Sequence, residues 1–320
     1  MKILITGFSG FVAQHFVNYL FESGENHEVV GIDIIPPSFE ISKYASKLDI
    51  KFMLVNLTNM VELNKVFESF IPEYILHLAS YSSVSFSWDN PSESFINNSY
   101  IFLNLIQSIR EFNPQCRVLS VGSSEEYGNV SSEDIPLLEE HSLNPISPYA
   151  VARVAQEQLS KVFVEAYGMN IVLTRSFNHI GPYQRLDFSV PSFISRILDI
   201  RLRNESKGVI ETGDVSIVRD FVDVRDVVRA YYLLLLHGNK GEVYNVCSGH
   251  GVKLLDLIRM IAEVVGVEVD PVVDNKLVRP NDNMVIVGSP CKIKKELGWN
   301  PTISLRQSIV DMVTYIENLE

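Results

Sequence analysis

Tyr149 and Arg153 have the residue types and the spacing of a pair that could move a proton. They are four positions apart, so on a helix their side chains share one face. Ser147 can cap that helix, and Pro148 suits its first turn. A fixed cation favours the phenolate form of a neighbouring tyrosine, which can exchange a proton with an alcohol or carbonyl oxygen. Such pairs also occur on ordinary surface helices, so this interpretation depends on the rest of the chain.

The first 33 residues have the pattern of a nucleotide-binding unit: an apolar strand, a glycine turn, an amphipathic helix and a second strand. Gly7 allows the tight turn, and Gly10 lets the backbone approach a pyrophosphate at the amino terminus of the helix. Ala13 is small enough for the helix to pack closely on the strand. The pattern therefore predicts a dinucleotide site at this turn.

Asp33 ends the second strand and bears on the choice of cofactor. A carboxylate at this place accepts hydrogen bonds from the adenosine ribose hydroxyls and repels a 2′-phosphate. We therefore expect NAD rather than NADP.

Further apolar strands alternate with helical patterns through the first half of the chain. The strands are expected at residues 52–57, 74–79, 118–121 and 171–175, and the helices at 60–70, 91–112 and 148–167. This alternation predicts an α/β fold with a doubly wound, mostly parallel sheet and ligands at its carboxyl edge. His77 lies within an apolar strand and is expected to be a core histidine rather than a catalyst.

After about residue 178 the strict alternation stops. Helical patterns cover residues 191–202, 220–236 and 254–265, and short strands are expected at 208–211 and 243–246. No repeat or flexible linker interrupts the chain, which predicts one body with a cleft. We expect residues 1–177 to form the NAD(H)-binding domain and 178–320 a smaller mixed α/β substrate lobe, with segment 220–247 packing back on the first domain.

Composition excludes several classes of partner. The net charge of −12 argues against nucleic acid or an anionic membrane. Cys116, Cys247 and Cys291 have no metal-ligand spacing and are expected to be buried thiols in a reducing compartment. No apolar stretch reaches membrane-spanning length, and the amino-terminal run is too short for a signal peptide. We expect a cytoplasmic protein without a metal.

With these motifs, the chain resembles the extended short-chain dehydrogenase/reductases that act on nucleotide sugars. Within that family it looks most like GDP-6-deoxy-4-keto-mannose reductases and GDP-mannose 4,6-dehydratases. The matching segments cover nearly the whole chain: residues 7–11, 77–79, Asn98, 123–128, Tyr149, 178–182, 218–221 and 279–280.

The resemblance implies catalytic roles for four residues. Ser123 takes the place of the serine or threonine that hydrogen-bonds the reacting oxygen, and Tyr149 is the acid/base. Arg153 stands where the family has a lysine that holds the nicotinamide ribose; this keeps the charge but alters any proton relay through lysine. Glu125 falls where dehydratases have the glutamate that removes the C5 proton, although related reductases look similar there.

The resemblance also implies binding residues, and arginines are expected to grip the nucleotide diphosphate. The expected cofactor contacts are Gly7, Gly10, Phe11, Val12, Asp33, Asn56, Leu57, Leu78, Ala79, Asn98, Tyr149 and Arg153. The expected substrate contacts are Ser82, Ser124, Asn178, Arg219, Arg279 and Asp282. Two departures are mild: Asn56 replaces a frequent aspartate near the adenine, and Ile101 replaces a glycine that is common after Asn98.

These features together predict an NAD(H)-dependent oxidoreductase at C4 of a GDP-activated, manno-configured sugar, acting in nucleotide-sugar or surface-polysaccharide biosynthesis. It would be a C4 dehydrogenase or a 4-keto reductase, and a homodimer or homotetramer. One alternative is a 4,6-dehydratase or epimerase with retained NAD. Another, motivated by Arg153 alone, is a cofactor-binding protein without catalysis.

Overall fold

The computed structural model of the chain describes residues 1–278, 281 and 283–319. Its strands are β1 (Lys2–Thr6), β2 (His27–Asp33), β3 (Leu48–Leu54), β4 (Tyr74–His77), β5 (Arg117–Ser123), β6 (Asn170–Ser176), β7 (Asn178–Ile180), β8 (Lys207–Thr212), β9 (Val218–Asp223), β10 (Val243–Val246), β11 (Gly251–Lys253), β12 (Glu268–Val273) and β13 (Val285–Ile286). Its helices are α1 (Phe11–Ser23), α2 (Met60–Ser69), α3 (Val84–Asp89), α4 (Pro91–Phe95), α5 (Ile101–Phe112), α6 (Pro148–Tyr167), α7 (Ser189–Leu202), α8 (Val224–His237), α9 (Leu254–Val265), α10 (Cys291–Leu297) and α11 (Leu305–Glu317).

Seven parallel strands form the central sheet in the order β10-β6-β5-β4-β1-β2-β3. Chain order reverses between β1 and β4, which in a doubly wound sheet marks the ligand-binding crevice. The carboxyl ends of these strands therefore meet at one edge, where β1, β4 and β5 carry the predicted functional residues. The predicted α/β fold with a mostly parallel sheet is confirmed.

Both faces of the central sheet are buried, which explains its nearly continuous apolar strands. On β1, Ile3 and Ile5 enter one core together with α1 and α8, whereas Leu4 enters the other with α2 and α5. This alternation follows from the two-residue period of a strand. The sheet is thus a rigid middle layer that fixes its carboxyl edge.

The second half of the chain builds smaller sheets. Strand β9 pairs with β7, β11 and β13, and β8 pairs with β12. Helices α7, α9 and α11 share a third hydrophobic core with these strands. Helix α8 contacts α1, and β10 pairs with β6, so both elements belong to the first layer system. The division at residue 178 into an NAD(H)-binding domain and a substrate lobe remains a prediction.

The prediction of one helix over residues 220–236 is wrong in its first turn. Strand β9 continues to Asp223, and only then does α8 begin. The Asp223 side chain accepts from the Arg225 amide at 2.8 Å and so caps the helix. The partners of β9 come from segments distant in sequence, so the local pattern could not reveal the strand.

Two smaller predictions also need correction. Strand β3 ends at Leu54 rather than at residue 57, and the next amide, of Val55, donates to the Asp33 carbonyl at 2.9 Å. Cys116 and Cys247 are buried as predicted, but Cys291 is exposed because α10 turns Ile293 rather than this residue to the core.

The helical segment predicted over residues 91–112 is interrupted by a π-helical turn at Ile96–Tyr100. The Asn98 side chain donates to the Ser94 carbonyl at 2.7 Å, where a regular helix would place the Asn98 backbone amide. A side chain that enters the backbone ladder in this way widens the helix.

Candidate active site

The glycine turn between β1 and α1 has the geometry of a phosphate-binding loop. Gly7 has a φ of +69°, and a Cβ on it would lie 2.7 Å from the Ala79 nitrogen. Gly10 precedes α1, and no side chain caps this end of the helix. The first-turn amides are therefore left for an anionic group, the arrangement that favours phosphate.

Asp33 connects this turn to the end of β2 by hydrogen bonds. One carboxylate oxygen accepts from the Ser9 amide at 2.9 Å and the other from the Ile34 amide at 2.7 Å. An ionised carboxylate has about four acceptor positions, so it can also accept from a ribose. Asp33 is half-buried, and its placement fits the adenosine end of a dinucleotide.

Thr6 links β1 to β4 beneath the turn and was not predicted from the sequence. Its hydroxyl accepts from the Ala79 amide at 3.1 Å and bonds Nδ1 of His77 at 2.8 Å. Burial, followed by the charge of Arg153, lowers the pKa of His77 to about 3. The ring is therefore neutral, and the prediction of a core histidine is confirmed.

The other expected cofactor residues differ in their surroundings. The half-buried Phe11 ring stacks on His179 with centroids 5.7 Å apart, and Val12 is also half-buried. Asn56 is exposed, and its side-chain oxygen accepts from both the amide and the hydroxyl of Thr58. Leu57 is buried, and Leu78 is half-buried at the end of β4.

Asn98 is fully buried on the π-helical turn. Its side-chain nitrogen donates to the carbonyls of Ser94 and Tyr81, but its side-chain oxygen has no hydrogen-bond partner among the described residues. A buried acceptor without a partner is costly unless a bound group supplies a donor. Together with the glycine turn and Asp33, Asn98 fits a dinucleotide.

Tyr149 and Arg153 form a buried pair on α6, with 5% and 4% of their surfaces exposed. Ser147 caps the helix by accepting from the Ala150 amide at 3.1 Å, and Pro148 lies in the first turn, as predicted. Arg153 Nε donates to the Tyr149 hydroxyl at 3.2 Å, and its guanidinium carbon is 5.3 Å from the ring centroid. The predicted proximity of phenol and cation is confirmed.

A polar chain behind this pair was missed by sequence reasoning. Arg153 Nη1 donates to the Gln156 side-chain oxygen at 2.7 Å and to the Val121 carbonyl at 3.2 Å. The Gln156 nitrogen donates to the Ser120 hydroxyl at 2.9 Å and to the Val121 carbonyl at 3.2 Å. The only local signal was that Gln156 lies three positions after Arg153 on the same helix face.

Ser123 is the last residue of β5, and a 3-10 turn follows at Ser124–Tyr127. Its hydroxyl accepts from the Glu125 amide at 3.2 Å, while its own amide donates to Glu126 at 2.7 Å. Helix α6 packs on both β5 and this turn. Ser124 is buried and Glu125 is half-buried.

Glu126, the third residue of the same 3-10 turn, is fully buried. Burial, then the nearby Glu157, raises the pKa of Glu126 well above its ordinary value. Glu157 keeps the charge because Arg175 binds both of its oxygens, at 2.8 and 2.9 Å, and Lys161 binds one at 2.8 Å. These contacts outweigh burial and lower the pKa of Glu157 to about 2. Glu126 is therefore the protonated member of the pair.

The expected substrate residues lie on several elements. Arg219 is buried on β9 and donates to the carbonyls of Asn283 and Val218 at 2.6 and 3.0 Å. Asn178 is half-buried on β7, in register with Phe221 of β9, and Ser82 is exposed before α3. Arg279 and Asp282 lie outside the described residues.

The described residues contain no group of three or more histidine, cysteine or acidic side chains arranged to hold a metal. None of their helices combines the length and the hydropathy that crossing a bilayer requires.

Comparison with known proteins decides the family. The family model described as GDP-mannose 4,6 dehydratase matches residues 4–312. The chain belongs to this family. Members and structural neighbours include nucleotide-sugar reductases, dehydratases and epimerases of the short-chain dehydrogenase type, so this chain is an enzyme of the nicotinamide-dependent, nucleotide-sugar-processing class.

Three relatives illustrate the similarity. GDP-6-deoxy-D-mannose reductase of Pseudomonas aeruginosa is 31% identical over 308 residues, which cover 96% of this chain and 94% of the relative. The structure of RMD from Pseudomonas aeruginosa complexed with NADPH has a TM-score of 0.86 at 29% identity and covers 100% of both chains. The UDP-glucose 4-epimerase of Thermotoga maritima, solved with UDP-glucose, has a TM-score of 0.88 at 29% identity, again over 100% of both chains.

Proposed function

We propose that this enzyme is an NAD(H)-dependent oxidoreductase acting at C4 of a GDP-activated, manno-configured sugar. The observation that carries the proposal is the buried Tyr149–Arg153 pair on α6, which packs on the strand that ends in Ser123. A phenol beside a cation suits proton exchange with a hydroxyl or carbonyl oxygen. The relative named GDP-6-deoxy-D-mannose reductase supports the choice of GDP and of a manno sugar.

The residues of this chain then have distinct roles. Tyr149 moves the proton of the C4 oxygen, Ser123 hydrogen-bonds that oxygen, and Arg153 donates a hydrogen bond to the Tyr149 hydroxyl. A bound nicotinamide cofactor supplies or accepts the hydride. Arginine does not lose a proton near neutral pH, so Arg153 acts as a fixed charge and not as a proton carrier.

For the cofactor we propose NAD(H) over NADP(H). One Asp33 oxygen accepts from Ser9 in the loop that connects β1 to α1, and the other accepts from Ile34 just after β2, so a 2′-phosphate at this place would meet a negative charge. RMD from Pseudomonas aeruginosa was solved with NADPH. A preference for NAD(H) would therefore distinguish this enzyme from RMD.

A 4,6-dehydratase is the second candidate. Glu125 favours it, because this half-buried carboxyl lies in the 3-10 turn that is capped by Ser123, the residue proposed to hydrogen-bond the C4 oxygen. A dehydratase must remove the C5 proton and expel the C6 hydroxyl, and Glu125 could perform the proton transfer. It remains second because the relative with 31% identity is named as a reductase.

For the assembly we propose a homodimer or homotetramer. Val151 and Val162 on α6 are 47% and 54% exposed, and Ile96 and Tyr100 on the adjoining turn are each 45% exposed. The turn packs against α6, so these apolar side chains lie on neighbouring surfaces that a second copy could cover.

For the cellular location we propose the cytoplasm.

Tyr149→Phe tests the proposed chemistry. We expect turnover to fall by at least about two orders of magnitude, the usual contribution of a positioned acid/base, while cofactor affinity is retained. Tyr167→Phe, at the exposed end of the same helix, is the matched control. Normal turnover by Tyr149→Phe would refute the mechanism. A wild type inactive on GDP-, UDP-, CDP- and dTDP-sugars, yet able to bind NAD, would support the non-catalytic alternative.

A further inference from the structure

The arginine in place of the usual lysine raises a geometric problem. An ammonium is a compact charge whose three donors rotate freely, whereas a guanidinium is planar and its donors point in fixed directions. Rotation of the Arg153 side chain therefore changes which nitrogen, if any, meets the Tyr149 hydroxyl. An arginine can support the tyrosine reliably only if something fixes its plane.

Gln156 makes the contacts that would fix this plane. Its side-chain oxygen accepts from Arg153 Nη1 at 2.7 Å, the shortest hydrogen bond that Arg153 makes among the described residues. The Val121 carbonyl accepts from the same Nη1 and from the Gln156 nitrogen, each at 3.2 Å. Two acceptors on Nη1 leave Nε directed at Tyr149.

The Gln156 side-chain amide is held on its nitrogen side as well. This nitrogen donates to the Ser120 hydroxyl at 2.9 Å, and the Ser160 hydroxyl lies 3.3 Å from the same Ser120 oxygen. Gln156 is 1% exposed and Ser160 is fully buried, so water does not compete for these bonds. Reversal of the amide would place its NH2 group against the Arg153 donor, so one orientation is strongly favoured.

Gln156 is also neutral, which matters for the charge that reaches Tyr149. A carboxylate at this place would offset the guanidinium charge, whereas an amide orients it without offsetting it. Arg153 Nη2 makes no hydrogen bond within the described part of the chain, so one terminal nitrogen is left for a hydroxyl of a bound molecule.

We propose that Gln156 is a positioning residue that holds the Arg153 guanidinium in one plane, and so lets an arginine support the acid–base tyrosine and a ribose hydroxyl of the cofactor. The inference rests on the proposed function of Tyr149. It assigns to Gln156 an effect that passes entirely through Arg153.

A double-mutant cycle tests this dependence. Gln156→Leu is made in the wild type and in Arg153→Lys, with Gln158→Leu, exposed on the same helix, as the matched control. In the arginine background we expect kcat to fall about tenfold to hundredfold, a range typical of lost orientation at a reacting group, with KM changed much less. In the lysine background the loss should be about threefold or less, because an ammonium needs no fixed plane. Equal losses in both backgrounds would show a merely structural role and overturn the proposal.

A readout without turnover separates this inference from the proposed function. In protein labelled with 15N-arginine, the Nε–H signal of Arg153 is assigned by its absence from Arg153→Lys. We expect slow proton exchange in the wild type and in Gln158→Leu, and at least about tenfold faster exchange in Gln156→Leu, because the side chain is released. Unchanged exchange would overturn the role of Gln156. A wild type without activity on GDP-sugars would instead refute only the proposed function.

Discussion

At the scale of single residues, the proximity of Tyr149 and Arg153 could be predicted from the sequence, but the contacts of Gln156 behind them could not. Tyr149 and Arg153 are local neighbours on one helix, so their spacing was sufficient. Gln156, which contacts Arg153, is itself held by Ser120, which is 36 residues away on β5. A contact of that kind becomes visible only when helix and sheet are packed together.

Glu126 is a second residue whose surroundings could not be predicted from the sequence. In sequence it belongs to an acidic turn, yet it is fully buried beside Glu157. Gly122 allows this, because a Cβ there would lie 2.5 Å from a Glu126 carboxyl oxygen. A carboxyl group that is buried next to a carboxylate is tolerated only if it stays protonated.

Glu126→Gln should therefore stabilise the protein increasingly as pH rises above the ordinary carboxyl pKa. The native state keeps the Glu126 proton above the ordinary carboxyl pKa while the unfolded state releases it, so wild-type stability falls with pH by up to about 1.4 kcal/mol per unit. Glutamine removes this loss and preserves the shape. Urea unfolding at several pH values measures it, with exposed Glu133→Gln as the control. Parallel pH curves for variant and wild type would contradict a protonated Glu126.

Asp33 gives a residue-level prediction about the cofactor. Fluorescence titration of the wild type should show NADH binding at least about tenfold tighter than NADPH, equivalent to about 1.4 kcal/mol. Asp33→Asn should narrow this preference because it removes the charge while keeping an acceptor for the loop. Asp49→Asn, exposed on β3, should not. Equal or tighter NADPH binding by the wild type would refute the assignment.

At the level of elements, local signals located most helices and the sheet strands well. Helix α6 spans the predicted residues, and its cap is the predicted serine. The failures occurred where tertiary contacts override local pattern. Strand β9 is defined by three partner strands, and the π-helical turn by a side chain that bonds a backbone carbonyl.

Gly7, in the turn between β1 and α1, meets two structural requirements: a positive φ and a close approach to neighbouring backbone. Comparison with Gly24, at the end of α1, separates the two. Gly7 and Gly24 both have positive φ, +69° and +82°, but only Gly7 would bring a Cβ against backbone, whereas Gly24 has open space. Gly24→Ala should cost about 1 kcal/mol for conformation alone. Gly7→Ala should cost about 2 kcal/mol more, because the Ala79 backbone must move. Denaturant unfolding measures both, and equal losses would show that close approach is unimportant.

At the scale of the whole molecule, the order of strands explains where the chemistry lies. The sheet brings together ends of strands that are more than 100 residues apart, from the glycine turn after β1 to Ser123 at the end of β5. Alternation of strands and helices was enough to predict this architecture. It could not predict how the second half of the chain packs on the central sheet, because β9 and its partners follow no regular alternation.

The most direct test of the central claim follows an isotope at C4 of the sugar. GDP-6-deoxy-4-keto-mannose is incubated with NADH that carries deuterium at the transferable position, and the product is analysed by mass spectrometry and NMR. We predict one deuterium at C4 and no loss of water, with the transfer greatly slowed in Tyr149→Phe. No transfer to C4, together with conversion of GDP-mannose in deuterium oxide to a product lighter by one water and labelled at C5, would contradict simple C4 redox chemistry and establish a dehydratase.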